Sequence, residues 1–334
     1  MLKLLTETDG VSGDEERVRE LIRSQVEPYC SSIEVDSMGN LICRKNGKVG
    51  KKTILLSAHM DEVGFIIKKI TDDGYLSFES VGGIYPKILL SQQVSVNGVN
   101  GVISLKAVHL STKEEREKPF KEDDLFIDIG AKSKAEAEKY VTVGDYCAFK
   151  SEYHEFGEDM VKAKALDDRA GCAILMDILK KETSVNLICC FVVQEEVGLR
   201  GAKTALYGLN PDFAIVVEGT TCNDLTGVSD ERRVTKCGGG AAISVMDYSS
   251  VANSELLNML VDTAEKNNIK WQYKASVRGG NDAGAISISG GGVKTASVSI
   301  PCRYIHSSVS VMNKGDYEAV RCLIDKFIEQ AEEM

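Results

Sequence analysis

Basic charge is in short supply in this chain. Its 40 lysines and arginines face 50 aspartates and glutamates, a net charge of −10 at pH 7. Nucleic acid and anionic membrane surfaces would be repelled, so neither is expected as a partner. Long hydrophobic runs are missing as well. No stretch reaches the roughly 18 apolar residues needed to span a bilayer, and Met1–Asp9 lacks the apolar core and small-residue cleavage site of a signal peptide. Paired-cysteine motifs are absent. Ten cysteines are scattered from Cys30 to Cys322 without a CxxC, and some sit inside apolar runs, as Cys189 and Cys190 do in Leu187–Val193. They read as small buried hydrophobes of a reducing, cytoplasmic protein rather than a disulfide framework. There is no GxxxxGK[ST] and no strand-linked GxGxxG. The glycine clusters Gly238–Gly240, Gly279–Gly280 and Gly290–Gly292 are therefore read as turns and close chain approaches, not phosphate loops.

What remains is a chain with material for a large core. It has 334 residues, 43% of them hydrophobic, which makes two domains the sensible expectation. Ser12 and Glu15 have the spacing of a capping box, and Val18, Leu21, Ile22 and Val26 recur at helical intervals, so a helix is predicted over 14–27, ending at Pro28. Thr53–Ala58 reads as a buried strand. From 68 to 157 short β-like stretches alternate with turn signals: Tyr75–Phe78, Gln93–Val96, Gly101–Leu105 and Tyr146–Phe149. The charged run Lys113–Asp124 reads as a solvated loop. After 158 the pattern becomes strand, helix, strand, helix: helices at Ala170–Lys181, Asn253–Lys266 and the C-terminus, strands at Leu187–Val193, Ala214–Val217 and Thr295–Ile300. The fold class expected is α/β, a mixed sheet covered by helices on both faces. A small β-rich domain, 68–157, would be inserted between two parts, 1–67 and 158–334, of the larger domain.

The polar groups fall where these strands end. The strand at 53–58 is followed by His59, that at 187–193 by Gln194-Glu195-Glu196, that at 214–217 by Glu218, and that at 295–300 by Pro301 and then His306. Ligands of open α/β sheets gather at the carboxyl ends of strands. Asp167-Asp168 precedes a helix whose N-terminus can face the same crevice. Histidine and carboxylate ligands suit Zn²⁺, and also Co²⁺ and Mn²⁺, and two such ions about 3.5–4 Å apart form a clamp for hydrolysis. Taken singly, the motifs have plainer readings: a surface His-x-Asp pair, a solvated Glu-Glu face, an Asp-Asp helix cap. Glu195 and Glu196 come almost directly after seven apolar residues (Leu187–Val193), where unpaired charge is costly and a solvated face is a poor explanation. Cys222, close after Glu218, reads as a buried thiol rather than a ligand. His109 and His154, in the inserted region, receive no catalytic role.

The segments Ala58–Phe65, Ala165–Gly171, Gln194–Gly198, Gly279–Ala285 and Pro301–Ser307 resemble, in this order, the tetrahedral aminopeptidase family of glutamyl and deblocking aminopeptidases, with relatives once labelled endoglucanases. The resemblance implies a zinc-exopeptidase-like fold and two divalent metal ions per chain. His59 and Glu218 would be terminal ligands of one, Glu196 and His306 of the other, and Asp167 would bridge. Glu195 would be the general base and Asp61 would orient His59. The Asp167-Asp168 peptide is often cis in such sites. Asp282 and Gly280 would help to shape the substrate pocket. Dimers associating into dodecamers, acting on short peptides, are implied as well. This chain has Glu218 where many members have Asp, Asn281 where many have Thr, and Ser308 and Ser310 where many have Pro and Glu. Those departures leave the proposed ligands in place. The activity implied is release of N-terminal residues from short peptides. The alternatives are another dinuclear metal amidohydrolase (a deacylase or carboxypeptidase), a glycoside hydrolase, which needs two uncommitted carboxylates, or a non-catalytic peptide-binding protein, for which a base such as Glu195 would serve no purpose.

Overall fold

The computed structural model of the chain describes residues 1–50, 52–106, 109, 112–113 and 120–332. The strands run, in chain order, β1 (Ser32–Val35), β2 (Leu41–Lys45), β3 (Thr53–His59), β4 (Gly64–Ile70), β5 (Leu76–Val81), β6 (Gln93–Val96), β7 (Val99–Leu105), β8 (Leu125–Asp128), β9 (Tyr146–Phe149), β10 (His154–Phe156), β11 (Met160–Ala163), β12 (Asn186–Val192), β13 (Phe213–Thr221), β14 (Ala241–Ile243), β15 (Trp271–Tyr273), β16 (Thr295–Arg303) and β17 (Ser310–Asn313). They build an 11-stranded sheet, ordered β1-β2-β12-β3-β13-β16-β17-β11-β10 with β14 and β15 attached beside β16, and a closed barrel β4-β5-β8-β7-β6-β9.

The centre of the large sheet is parallel: β12 and β13 both flank β3 in parallel, and β16 lies parallel to β13. Its flanks, β1-β2 on one side and β17-β11-β10 on the other, are antiparallel. This accounts for the near-continuous apolar runs of the central strands, which are covered on both faces. Along β3, Ile54, Leu56 and Ala58 pack into a core shared with the helix Leu166–Leu179 and the C-terminal helix Lys314–Glu332. Leu55 points the other way, into a smaller core with the short helices Ala202–Ala205 and Ala283–Ser287. The first helix of the expected pattern is Glu16–Val26, continued by a 3₁₀ turn to Tyr29. Its capping box does not form. Ser12 Oγ donates instead to Asp61 Oδ2 (2.6 Å), and Glu15 Oε1 accepts from the backbone N–H of Gly13 (2.8 Å) and of Gln194 (3.1 Å).

The barrel has its own core, in which Phe65 meets Phe78 and Phe149 edge to face at centroid distances of 5.0 and 5.1 Å. Barrel strands extend from Gly64 to Phe149, whereas β10 pairs with β11 in the large sheet. The chain thus enters the barrel ahead of residue 68 and leaves it ahead of 157. The unbroken apolar run Val63–Ile67 hides the strand start, because it shows no alternation to mark it. Most of the charged loop expected at Lys113–Asp124 lies outside the described residues; its end, Glu122–Asp124, is a 3₁₀ turn leading into β8.

Two buried cations tie the N-terminal segment to the sheet. Arg169 is fully buried, and its guanidinium donates to the carbonyls of Met60 (2.6 Å), Leu5 (2.6 Å) and Thr8 (2.9 Å). Lys164, also buried, donates to Glu62 (2.6 Å) and Asp9 (2.9 Å). Each of the carbonyls bound to Arg169 would be left without a partner if the guanidinium were removed, at about 1–3 kcal/mol per buried group. Arg169→Met is therefore expected to destabilise the chain by about 3 kcal/mol or more in urea unfolding. An unchanged midpoint would show that these bonds contribute nothing net.

Candidate metal centre

Parallel strands open their carboxyl ends onto one edge, and six chemically competent side chains are brought there. β3 ends on His59, and β13 carries Glu218 one strand away. After β12 the chain turns through Gln194, in left-handed conformation at φ +56°, and presents Glu195 and Glu196. After β16 it turns again, with Tyr304 and His306 at φ +60° and +58°. Asp167 comes from the start of the helix Leu166–Leu179, where Asp167 and Asp168 are non-helical and joined by a cis peptide. Gly219 permits the approach of Asp167 to β13, since a Cβ there would stand 2.8 Å from both Cβ and Cγ of Asp167.

The side chains form two groups that share Asp167. In the first, His59 Nε2 lies 3.3 Å from Asp167 Oδ1 and 3.5 Å from Glu218 Oε1. In the second, His306 Nε2 lies 3.3 Å from Glu196 Oε2 and 3.9 Å from Asp167 Oδ2. Each group could hold a metal ion, with its ligand atoms within 4.8 Å of one another. Ligands about 2.0–2.1 Å from a tetrahedral ion are separated by about 3.3 Å, so these spacings fit. The imidazoles are also set for it. His59 Nδ1 faces only acceptors, the Asp61 carbonyl at 3.1 Å and Asp61 Oδ1 at 3.3 Å, and His306 Nδ1 faces the Gly83 carbonyl at 3.1 Å. Each Nδ1 therefore donates to its oxygen, which leaves Nε2, the nitrogen turned to the carboxylates, as the one to bind an ion once its own proton is displaced.

The protein alone does not neutralise this cluster. Burial first, then the charges of Glu218, Asp282 and Glu196, push Glu195 up to about 11. Burial and the neighbouring Asp167 raise Glu196, and burial raises Glu218 to about 7 against the opposing pull of His59. For His59 burial works downward, but its hydrogen bonds with Asp167, Asp61 and Glu218 outweigh it and hold the imidazolium pKa well above the usual value. So many carboxylates sharing so little positive charge is the donor set of a cation site. Glu195 stands apart: its carboxylate lines the cavity but, among the described residues, belongs to neither group and makes no ion pair.

Asp61 organises the arrangement. It is completely buried, and besides His59 it accepts from Ser12 Oγ and from the backbone N–H groups of Glu195 (3.0 Å) and Glu196 (3.1 Å). Burial alone would raise its pKa; the bonds from His59, Ser12 and Glu195 reverse this and lower it. Asp168, also buried, accepts from the His59 N–H (3.2 Å) and the Gly171 N–H (2.9 Å). The cavity in front of the groups, about 340 Å³, is also lined by Lys274, Ser276, Arg278, Gly279, Gly280 and Asn281. Gly280 thus faces it. Asp282 does not line it; the carboxyl is buried, neither oxygen has a partner among the described residues, and burial raises its pKa strongly. The departure at Asn281 has a structural use, since its Oδ1 accepts from Ala283 N–H (2.9 Å) and Ser297 Oγ (3.2 Å). Ser310 Oγ donates to the Tyr304 carbonyl. His154 is exposed beside Glu152, and Cys222 Sγ donates to the Thr235 carbonyl, so neither joins the groups.

Ser12, Gly83, Lys274 and Arg278 escape sequence reading because each reaches the site from a loop with no periodic signal. Arg169 had one: it is the lone cation in the largely apolar stretch Ala165–Leu179. Asp61→Asn tests the hub. An amide offers one oxygen where the carboxylate serves several donors, so its NH₂ must confront one of them. Metal affinity is expected to fall about 10–100-fold in chelator competition, and an unchanged affinity would contradict the role read for Asp61.

Relatives of the whole chain share this architecture. A putative aminopeptidase of Acetivibrio thermocellus is 42% identical, covering 97% of each chain. The aminopeptidase APDkam598 of Desulfurococcus kamchatkensis superposes with a TM-score of 0.93 at 36% identity, over 98% of this chain and 93% of its own. The TET1 peptidase of Pyrococcus horikoshii, which can assemble into a tetrahedron or a large octahedral shell, has a TM-score of 0.87 at 36% identity, over 97% of each chain. More distant relatives are a lysyl aminopeptidase of Pyrococcus furiosus (29% identical, 100% of this chain and 97% of its own) and a glutamyl aminopeptidase of Lactococcus lactis (31%, 95% and 91%). The M42 glutamyl aminopeptidase model matches residues 39–323, nearly the full span over which the sheet, the barrel and the paired His-carboxylate groups are built, and the chain belongs to that family of peptide-hydrolysing metallo-aminopeptidases.

Proposed function

We propose that the chain removes N-terminal residues from short peptides with two divalent ions, zinc being favoured over cobalt or manganese by the His and carboxylate donors. The observation that carries this reading is the placement of Asp167, one oxygen towards each histidine, with the uncommitted Glu195 beside them. His59 and Glu218 would hold one ion, Glu196 and His306 the other, and Asp167 both. When bound, the pair would lower the pKa of water and polarise the scissile carbonyl. Glu195 would take the proton from the attacking water and deliver it to the leaving amine. Asp61 fixes the Glu195 backbone through its N–H, so the base is positioned from the same residue that orients His59. The cluster of acidic groups suits the free α-ammonium group of a substrate, which makes the activity an exopeptidase's.

The inserted barrel serves assembly in this reading, with dimers associating into a dodecamer in the cytoplasm. Its tie to the site is the Gly83 carbonyl, which holds His306. Membrane crossing is not part of the proposal, and among the described residues no helix is long and apolar enough for it.

Hydrolysis of free-amine aminoacyl anilides, after chelation and after adding back Zn²⁺, Co²⁺ or Mn²⁺, tests the activity. Metal-dependent cleavage restricted to free amines is expected; cleavage of N-acetylated counterparts instead would indicate a deacylase or endopeptidase. Glu195→Gln is expected to keep two ions per chain and to lose about 10²–10⁴-fold in kcat. A near-normal rate would remove Glu195 from its role.

A further inference from the structure

Ser12 and Glu15 have the spacing of a capping box, yet the helix Glu16–Val26 has Glu15 at its N-cap without a side-chain cap bond. Both side chains turn instead towards the candidate metal centre. Ser12 Oγ donates to Asp61 Oδ2 (2.6 Å), and Glu15 Oε1 accepts from the N–H groups of Gln194 (3.1 Å) and Gly13 (2.8 Å). Gln194 begins the turn that presents Glu195 and Glu196, whose own N–H groups go to Asp61. Three successive backbone donors are thus captured by two buried carboxylates, and Glu15 holds the first of them.

The segment carrying Glu15 is itself fixed. Ser12 N–H donates to the Glu62 carbonyl (3.2 Å), Glu62 N–H to the Gly10 carbonyl (3.0 Å) and Asp14 N–H to the Val11 carbonyl (2.7 Å). A Cβ at Gly13, which stands at φ +100°, would lie 2.4 Å from Tyr146 Oη, so the barrel strand β9 closes against this loop. The turn at the other end of the bond needs support. Gln194, at φ +56°, is in a backbone region that non-glycine residues rarely adopt. Placing a carboxylate here is unfavourable in itself. Burial and then the charge of Asp61 push Glu15 up to about 7, against the pull of backbone N–H groups, those of Gly13 and Gln194 among them.

We propose that Glu15 is a positioning residue for the reaction: by holding the Gln194 N–H it sets the turn from which Glu195 reaches the attacking water. This rests on the aminopeptidase reading, in which Glu195 is the general base. Glu15 acts through the main chain of this turn and touches neither substrate nor ion. A misplacement of about 1 Å at a reacting group costs about 10²-fold in rate, so loss of Glu15 lowers kcat and leaves KM nearly unchanged.

The metal-loaded full-length enzyme is compared with Glu15→Ala and Glu15→Gln on the aminoacyl anilide it cleaves fastest, with bound ions counted in each, and in amide exchange of residues 193–198 followed by mass spectrometry. Glu15→Met, of nearly the same volume, stands in if the alanine variant does not fold. Glu15→Ala is expected to keep two ions per chain and to lose about 10–100-fold in kcat at nearly constant KM. Its Gln194 N–H should exchange about tenfold faster, the worth of one hydrogen bond. Glu15→Gln keeps an oxygen where Oε1 stands and should restore both kcat and protection to near native values. In a Glu195→Gln background Glu15→Ala should cost little further, because residues that act through one another are not additive, whereas a brace for the fold alone would cost the same in both backgrounds. A normal kcat in Glu15→Ala, a loss carried in full into the Glu195→Gln background, or a Glu15→Gln variant as slow as Glu15→Ala would overturn the assignment and leave the aminopeptidase reading intact. Unchanged exchange at Gln194 in Glu15→Ala would overturn the hold of Glu15 on the turn. No turnover of any anilide by native enzyme holding two ions would overturn the aminopeptidase reading, and the catalytic part of this inference with it.

Discussion

Carboxylates crowded at the ends of buried strands repel one another and resist desolvation, and the rest of the structure follows from how this is managed. Asp61 is the pivot. One buried carboxylate collects the Ser12 hydroxyl, the His59 imidazole and two successive backbone N–H groups, those of Glu195 and Glu196. Its charge is therefore spent on fixing the geometry of both candidate ion groups. The Asp61 bonds reach β3, the turn after β12 and the loop before the first long helix, which are distant in sequence. A change at this residue reaches every part of the site, because no neighbouring group can replace four donors at once.

Beneath the centre, rigidity comes from charge buried in pairs and from carbonyl capture. Arg169 follows the Asp167-Asp168 step directly and fastens the N-terminal segment through Leu5 and Thr8, while its bond to the Met60 carbonyl holds the link between His59 and Asp61. The residue that anchors the N-terminus is thus also the one that steadies the ligand-bearing strand end. Among the described residues the barrel's polar contact with the proposed ligands is that of Gly83 with His306, which couples the position of one proposed ligand to a unit with a separate core.

The parallel core strands announce themselves by apolar runs, and a charged residue directly after such a run is anomalous wherever solvent cannot reach it. That anomaly singles out His59, Glu195, Glu196 and Glu218 as candidates; Asp167 follows Lys164-Ala165-Leu166 and is singled out by its place at a helix start. The capping box at Ser12 and Glu15 misled for a related reason: spacing alone does not say whether a hydroxyl finds its own helix or a distant carboxylate, and Asp61 is the stronger acceptor for Ser12. The limits of the barrel were blurred because Val63–Ile67 is apolar without alternation.

The sequence by itself determined the α/β class and the inserted β-rich unit, and it singled out the residues that the fold gathers into two candidate ion groups, because strand ends and hydrophobic runs are local properties of the chain. Only the tertiary structure decided what faces those residues. Asp282, adjacent to the glycine pair, lies buried off the cavity with both oxygens unpartnered, while Lys274 and Arg278 line it. Nothing in the periodicity of 270–285 distinguishes them, since hydrophobic pattern reports which side of an element is buried and carries no information about the element across a cavity.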